Sequence, residues 1–193
     1  ISVGAAHGAK LKGEDIIVTC FFGDGAINRG PFLEGLNWAS VFNLPVIFVC
    51  ELNAFASTTR TETVTAGGGP VERAHGIGVE ACKVDGNDVE AVDALTASLV
   101  PKVRNNGGPF LIAATTYRLS GHTSADQARY RDPSEVDRKW LQDPILRCKK
   151  RLKELRVTEG VLEGITRSAE MEMNAAARIA DEGVHPRSSD AFT

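Results

Sequence analysis

Two short apolar runs, each followed by polar residues, constrain the fold of this chain more than any other feature. Residues 16–22 (IIVTCFF) lead into Gly23-Asp24-Gly25, and residues 46–50 (VIFVC) are followed by Asn53. Such runs are typical of strands in a buried parallel sheet. Consecutive strands of an open parallel sheet usually lie side by side, and ligands bind beyond their carboxyl ends. We therefore expect Asp24 and Asn53 to meet in one crevice.

The polar side chains that end these runs are suited to a metal-bound phosphate. A carboxylate and an amide oxygen are ligands that Mg²⁺ accepts, and the ion takes its remaining oxygens from water and substrate phosphates. Gly23 and Gly25 have no Cβ, so the backbone there can turn tightly and approach a phosphate. A helix predicted at about residues 31–43 would direct its N-terminal amides to the same place. The sequence therefore predicts a site for a metal-bridged diphosphate.

Apolar runs alternate with amphipathic segments along the first two thirds of the chain. The pattern predicts, in order, a strand at 16–22, a helix at about 31–43, a strand at 46–51, a Thr- and Gly-rich loop from Ser57 to Gly69, a strand at 79–84, a helix at 88–104 and a strand at 110–116. This alternation favours an α/β fold, with a mainly parallel sheet and helices on both faces. A long loop beside a ligand site is more often functional than idle.

From Pro133 onwards the pattern is that of charged, amphipathic helices. Apolar side chains recur at helical spacing in two stripes, of which one is Ile145, Cys148, Leu152 and Leu155 and the other is Leu162, Ile165, Ala169, Met173 and Ala176. Thr158 is the predicted N-cap before the second stripe. We therefore expect one domain over residues 1–132 and a C-terminal helical segment over 133–193, which packs on the sheet domain or on a partner.

Three ordered motifs give the chain a family resemblance. Residues 23–26 (GDGA) together with residues 44–53 (LPVIFVCELN) resemble the thiamine-diphosphate signature. Residues 84–88 (VDGND) and 116–126 (TYRLSGHTSAD) extend the match, which covers most of residues 1–150. In this order the motifs resemble the α subunit of the decarboxylating component of 2-oxo acid dehydrogenase complexes, pyruvate dehydrogenase type. The resemblance implies the thiamine-diphosphate-binding fold, with thiamine diphosphate and Mg²⁺ as cofactors.

The resemblance also implies a set of metal ligands. Asp24 and Asn53 would bind Mg²⁺ through their side chains, and Phe55 would bind it through its backbone carbonyl. The family usually has asparagine at the position of Leu52 and tyrosine at that of Phe55. Neither difference removes a ligand, because Asn53 is kept and a carbonyl ligand does not depend on the ring.

Further roles follow from the same resemblance. Gly25 and Ala26 would contact the diphosphate, and Ser57 would lie near the aminopyrimidine end of the cofactor. His122 would lie near the diphosphate and the reacting centre, where it would act as a catalytic residue. Ser120 stands where mammalian members have a histidine, which bears on the substrate more than on the cofactor.

The resemblance implies partners as well. Family members carry a long segment before the position of Ile1, with other cofactor contacts, so we expect the N-terminal part of the domain to be missing. The glutamate that activates the pyrimidine belongs to the β subunit. The expected assembly has two α and two β chains, oxidatively decarboxylates pyruvate or a related small 2-oxo acid, and transfers the acyl group to a lipoyl-bearing acyltransferase.

Three alternatives bear on this function. Acetoin dehydrogenase is a close relative within the family, and a truncated, non-catalytic scaffold subunit would keep the fold without turnover. A dinucleotide-binding turn at Gly23-x-Gly25 would need a third glycine, but Asn28 stands in that position. In that reading the carboxylate of Asp24 would also repel the pyrophosphate. A test for bound Mg²⁺ and thiamine diphosphate would separate the thiamine-diphosphate reading from the dinucleotide and scaffold readings.

Composition narrows the remaining classes. The formal net charge of −3 gives no electrostatic reason to expect nucleic acid or an anionic membrane as a partner. No apolar run approaches the ~18 residues that span a bilayer. The four cysteines have no CxxC spacing, and Cys20 and Cys50 lie in predicted strands, so we expect reduced, buried thiols. The expected location is a bacterial cytoplasm, with the mitochondrial matrix as the alternative.

Overall fold

The chain divides into two compact units. The computed structural model describes residues 1–105 and 107–192. The first unit is Ile1–Arg147, and the second begins at Cys148. The expected boundary between residues 132 and 133 separates a cofactor-binding domain from a helical segment, and it stays a prediction.

The described residues form six strands and seven α-helices. The strands are β1 (Val18–Gly23), β2 (Val46–Leu52), β3 (Phe55–Ala56), β4 (Thr59–Arg60), β5 (Glu80–Asp85) and β6 (Phe110–Thr115). The helices are α1 (Ser2–Lys12), α2 (Gly30–Val41), α3 (Pro70–Gly76), α4 (Val89–Arg104), α5 (Pro133–Trp140), α6 (Pro144–Glu154) and α7 (Glu159–Asp181). Short 3-10 turns follow β1 at Asp24–Asn28 and β4 at Thr61–Thr63, and a third lies at Ser188–Phe192.

Four strands form one parallel sheet in the order β1-β2-β6-β5. In the register of β1 and β2, Gly23 lies opposite Glu51. Thr115 at the end of β6 lies opposite Leu52 on one side and Asp85 on the other. The carboxyl ends of all four strands therefore lie at one edge of the sheet, and Asp24 and Asn53 follow two adjacent strands there.

The sheet is covered by helices on both faces, as predicted. Successive side chains of a strand point to opposite faces, so each central strand contributes to two cores. On one face Val46 and Leu111 pack in a cluster with Leu36 of α2. On the other face Ile47 and Ile112 pack with residues of α4, among them Leu99. The mainly parallel α/β fold expected from the sequence is confirmed.

The predicted strands and helices of the sheet region are confirmed, with boundary differences of a residue or two. The loop expected from Ser57 to Gly69 is more structured than predicted. It contains β4, which pairs with β3 in a two-stranded antiparallel hairpin, and the 3-10 turn Thr61–Thr63. The strands are too short for an alternating pattern to reveal them, because two residues per strand carry no periodicity.

The cysteine prediction is confirmed only in part. All four cysteines are free, but only Cys50 is fully buried, whereas Cys20, Cys82 and Cys148 are partly exposed. Burial raises the pKa of the Cys50 thiol to about 12, with a further contribution from the nearby carboxylate of Asp24. Cys50 is therefore a neutral thiol at physiological pH.

The second unit is dominated by α7. Thr158 occupies the N-cap position, as predicted, although its side chain makes no capping hydrogen bond. Within the predicted stripe Leu162 is buried, whereas Ile165 and Met173 are exposed. None of the described helices combines the length and apolar character needed to cross a membrane.

Packing on the sheet generates the first prediction. Leu111 of β6 is completely buried, whereas Leu11 of α1 is 78% exposed. Leu111→Ala should lower the free energy of unfolding by about 2–5 kcal/mol, because it removes buried methyl groups and leaves a cavity. Leu11→Ala, the matched control, should change it by no more than about 0.5 kcal/mol. Urea denaturation of the two variants measures both values, and equal losses would contradict this assignment of the core.

Candidate functional site

A cavity of about 560 Å³ lies at the carboxyl edge of the sheet. Its walls come from residues that follow three parallel strands, namely Asp24 after β1, Ala54 after β2 and Thr116 and Tyr117 after β6. Residues between Thr61 and Pro70, among them the glycines 67–69, form a further wall. Lys83, Glu135 and Lys139 also line the cavity. A crevice at this edge is the usual ligand site of open α/β sheets.

Asp24 is the most unusual side chain in the cavity, because it is a buried carboxylate with only one hydrogen-bonded oxygen. The residue is 2% exposed. Its Oδ2 accepts a hydrogen bond of 2.9 Å from Thr61 Oγ1. Its Oδ1 is buried and has no hydrogen-bond partner among the described residues. Unpaired buried carboxylates are costly, so this oxygen is suited to a cation that enters the cavity.

Asn53 lies beside the glycine that precedes Asp24, as the strand register requires. A Cβ placed on Gly23 would be 3.9 Å from Asn53 Nδ2. Asn53 Oδ1 accepts a hydrogen bond of 3.1 Å from the amide of Phe55, and one lone pair of this oxygen remains available. The structure therefore brings Asn53 to the same strand ends as Asp24, although Asn53 is not among the residues that line the cavity.

Ala54, between Asn53 and Phe55, adopts the left-handed backbone conformation, with φ of 73°. This region disfavours side chains that have a Cβ. The carbonyl of Ala54 accepts a hydrogen bond of 3.1 Å from the amide of Thr61, which helps to hold the turn. Sequence reasoning missed Ala54 and Thr61, because neither residue type signals a positive φ or a contact with Asp24.

Gly25 has a packing role that the sequence did not indicate. A Cβ at this position would lie 2.7 Å from the Cβ of Ala56, so only glycine lets the turn after β1 approach β3. The carbonyl of Ala26 accepts a hydrogen bond from Arg29 in the same turn. Contacts of Gly25 and Ala26 with a diphosphate remain predictions.

The helix after β1 begins where the sequence predicts. The 3-10 turn Asp24–Asn28 separates β1 from α2, and Gly30 at the start of α2 lines a second cavity together with Arg29 and Arg73. The expectation that the N-terminal amides of α2 serve the phosphate site stays a prediction.

Phe55 is the centre of an aromatic and cationic cluster. Its ring is 2% exposed and meets the ring of Tyr117 edge-on, at 6.1 Å between centroids. The guanidinium groups of Arg60 and Arg131 lie 4.9 Å and 5.7 Å from the ring centroid. Contacts of this kind are favourable and stronger when desolvated. The Phe55 ring thus joins the hairpin to the loop that carries His122.

His122 lies outside the Asp24 cavity. The residue is exposed, and its Nδ1 is 3.2 Å from Nη1 of Arg118. Arg118 also donates hydrogen bonds of 2.5 Å to the carbonyl of Ser57 and 2.8 Å to the hydroxyl of Tyr130. The structure therefore links His122 with Ser57 through Arg118, and it does not bring either residue to the wall that Asp24 occupies.

The loop of His122 is held by Asp126 and Arg131. The amide of His122 donates a hydrogen bond of 2.7 Å to Asp126, and the amide of Ala128 and the Tyr130 hydroxyl each donate one of 2.8 Å. These donors, with the amide of His122 first, lower the pKa of Asp126 to about 2. Arg131, only 6% exposed, donates to the carbonyls of Arg118 and Ser120.

The donor set around Asp24 favours a hard cation. In the described parts of the chain no group of three or more His, Cys, Asp or Glu side chains is placed to hold a metal. A site built on Asp24 would therefore combine one carboxylate with neutral amide and carbonyl oxygens. Such a set leaves positions for water and phosphate, which matches the preferences of Mg²⁺.

Together these features define a class of protein, namely a doubly covered parallel α/β fold whose ligand crevice carries a buried carboxylate at a strand end. The family model described as dehydrogenase E1 component matches residues 1–188, and the chain belongs to this family. The resemblance found in the sequence motifs is thereby confirmed.

Individual relatives show the same kinship. The chain is 35% identical over 195 residues to the α subunit of acetoin:2,6-dichlorophenolindophenol oxidoreductase of Bacillus subtilis, covering all of this chain and 58% of the relative. It is 34% identical over 194 residues to the pyruvate dehydrogenase E1 component subunit alpha of Zymomonas mobilis, covering all of this chain and 55% of the relative. The 3-methyl-2-oxobutanoate dehydrogenase subunit alpha of Mycobacterium tuberculosis is 42% identical over 147 residues, covering 76% of this chain and 40% of the relative. The chain thus spans about half the length of the curated relatives it matches.

The hydrogen bonds of Asp126 generate a prediction about pH. Its folded pKa lies below the ordinary value, so its contribution is present above about pH 4 and is lost as the pH falls through about 2. Over this range we expect hydrogen-exchange protection of the His122 and Ala128 amides to decrease. In Asp126→Asn the same amides should exchange fast throughout, without a step. A step that persists in Asp126→Asn would assign the titration to another group.

Proposed function

We propose that this chain is the diphosphate- and metal-binding part of the α subunit of a thiamine-diphosphate-dependent 2-oxo acid dehydrogenase. One observation carries the proposal, namely the buried and unpaired Oδ1 of Asp24 in the cavity at the carboxyl edge of the sheet. Membership in the dehydrogenase E1 component family supports it. The names of relatives at 34–35% identity over the whole chain point to the same class of enzyme.

The metal site we propose consists of the side chains of Asp24 and Asn53 and the backbone carbonyl of Phe55. Bound Mg²⁺ would neutralise the diphosphate and hold it at the strand ends. Asp24 would supply the only negative charge among these three ligands. Gly25 and Ala26 would lie against the diphosphate, and Ser57 would lie towards the aminopyrimidine end. Lys83 and Lys139 line the same cavity, together with the carboxylates of Glu62 and Glu135.

When bound, thiamine diphosphate supplies the ring that stabilises the negative charge left by decarboxylation, before the acyl group passes to a lipoyl acceptor. His122 and Arg118 would act at the edge of this site. Arg118 bonds the carbonyl of Ser57 and approaches His122 Nδ1, so it can restrain the position of the imidazole. The imidazole would then hold or move a proton near the reacting atoms.

The substrate we propose is pyruvate or a related 2-oxo acid. Acetoin is the second candidate, because one relative that matches along all of this chain is the α subunit of an acetoin oxidoreductase. Ser120 is the residue to test for this choice, since its side chain is exposed while Arg131 holds its carbonyl. A non-catalytic scaffold remains the third candidate, and it would bind little cofactor or metal.

The partners we propose are a β subunit, in an assembly of two α and two β chains, and a lipoyl-bearing acyltransferase. The exposed apolar side chains of α7, such as Ile165 and Met173, support an interface on the second unit. We propose the bacterial cytoplasm as the location, with the mitochondrial matrix as the alternative. The free state of all four cysteines is compatible with a reducing compartment.

The metal assignment is tested by Asp24→Asn in the assembled enzyme. This change keeps the shape of the side chain but removes its charge, so Mg²⁺-dependent binding of thiamine diphosphate should be largely abolished while the fold is kept. Calorimetric titration measures the affinity. Glu62→Gln is the matched control, because Glu62 lines the same cavity without being a proposed ligand, and it should bind like the parent. Equal affinities of parent and Asp24→Asn would refute the metal site.

The role of His122 is tested by His122→Ala in the complete complex. Loss of a positioned proton-transfer group should lower the turnover number, or reductive acylation of the lipoyl group, by about 10²-fold or more. Thermal stability should stay near that of the parent, because the imidazole is exposed. His185→Ala removes another exposed histidine and should leave turnover unchanged. Parent-like turnover in His122→Ala would show that His122 is an ordinary surface residue with no catalytic role.

Dependence on partners is tested with the chain alone. The pyrimidine-activating glutamate is expected in the β subunit, so the purified chain should not decarboxylate 2-oxo acids when given thiamine diphosphate and Mg²⁺. Mass measurement in solution and an assay for released CO₂ decide the matter, with the assembled complex as the positive control. A monomer that decarboxylates substrate unaided would show that the whole active site lies in this chain.

A further inference from the structure

Thr61 contacts both sides of the proposed metal site. Its hydroxyl donates to Asp24 Oδ2 at 2.9 Å, and its backbone amide donates to the carbonyl of Ala54 at 3.1 Å. Asp24 follows β1, whereas Ala54 lies between Asn53 and Phe55 after β2. One residue of the turn after β4 therefore ties together the two chain segments that carry all three proposed ligands.

The hydroxyl contact determines the orientation of the Asp24 carboxylate. A carboxylate has two equivalent oxygens and can rotate about its χ2 bond, which has a broad energy profile. Donation from Thr61 to Oδ2 selects one orientation, and in this orientation Oδ1 is the oxygen left without a partner. Threonine is stiff at χ1, so the position of the hydroxyl is itself well defined.

The backbone contact acts on the other two ligands. Ala54 has a φ of 73°, which is unfavourable for a residue with a Cβ and needs support from its surroundings. The hydrogen bond from the Thr61 amide provides such support. Because Ala54 links Asn53 to Phe55, its conformation decides where the side chain of the first and the carbonyl of the second lie.

We propose that Thr61 is a positioning residue for the divalent cation, which it serves by orienting Asp24 so that a single oxygen is left for the metal. The inference rests on the proposed function, since it takes Asp24 as a metal ligand. Thr61 itself does not bind the cation in this account, because its hydroxyl is engaged with Oδ2. Groups that orient a ligand in this way typically change metal affinity by 10- to 100-fold when removed.

The test uses the intact chain and Mn²⁺ alone as the probe, with free and bound ion distinguished by electron paramagnetic resonance. Thr61→Val removes the hydroxyl and keeps the branched shape, and Thr61→Ser keeps the hydroxyl. Thr63→Val is the matched control, because the Thr63 hydroxyl donates to the carbonyl of Arg60 and not to Asp24. Thr61→Ala is a second deletion variant, which does not place a methyl group against the carboxylate. Asp24→Asn reports separately on the site itself.

We expect Thr61→Val and Thr61→Ala to weaken Mn²⁺ binding by about 10-fold or more, with Thr61→Ser and Thr63→Val close to the parent. Circular dichroism with a chelator present checks that each variant is folded, and one folded deletion variant suffices. If Asp24→Asn loses Mn²⁺ while the folded deletion variant binds like the parent, the metal site stands and the role of Thr61 is refuted. If Thr63→Val loses as much affinity as Thr61→Val, or if Thr61→Ser fails to restore it, the role of Thr61 is also refuted. A parent chain that shows no Mn²⁺ binding dependent on Asp24 would overturn the metal site and the inference together.

Discussion

The burial of Asp24 with one unpaired oxygen is the constraint on which the site depends. A carboxylate removed from water needs hydrogen bonds or a positive charge, and Thr61 supplies only one donor. The parallel register of β1 and β2 places Asn53 next to the glycine that precedes this carboxylate. The sheet therefore does more than form a core, because it also brings the two proposed oxygen ligands to one edge, where a cation would offset the cost of burial.

The hairpin of β3 and β4 connects this edge to the rest of the site. Gly25 allows Ala56 to pack against the turn after β1, and Thr61 reaches Asp24 from the other end of the hairpin. The ring of Phe55 packs against Tyr117, while the carbonyl of Ser57 accepts a hydrogen bond from Arg118. A small element that the strand pattern did not reveal thus joins the proposed metal site to the loop of His122.

Hydrogen bonds of Arg118 and Asp126 give the His122 loop a defined shape. Asp126 gathers three donors from the loop, and Arg118 joins the loop to the hairpin. His122 nevertheless lies outside the wall of the Asp24 cavity. The chain spans about half the length of the relatives it matches.

The sequence alone determined the class of fold, the family and the identity of the strand-end residues. Apolar runs that alternate with amphipathic segments specify strands and their buried faces. Asp24 and Asn53 can be identified because they come after the ends of two such runs. The tertiary structure alone decided the sheet order, the contact of Gly25 with Ala56, and the partnership of Thr61 with Asp24. The physical reason is the separation along the sequence of the residues involved. Periodicity is a local property, and it reports which face of one element is buried. Contacts between residues tens of positions apart depend on how the elements pack.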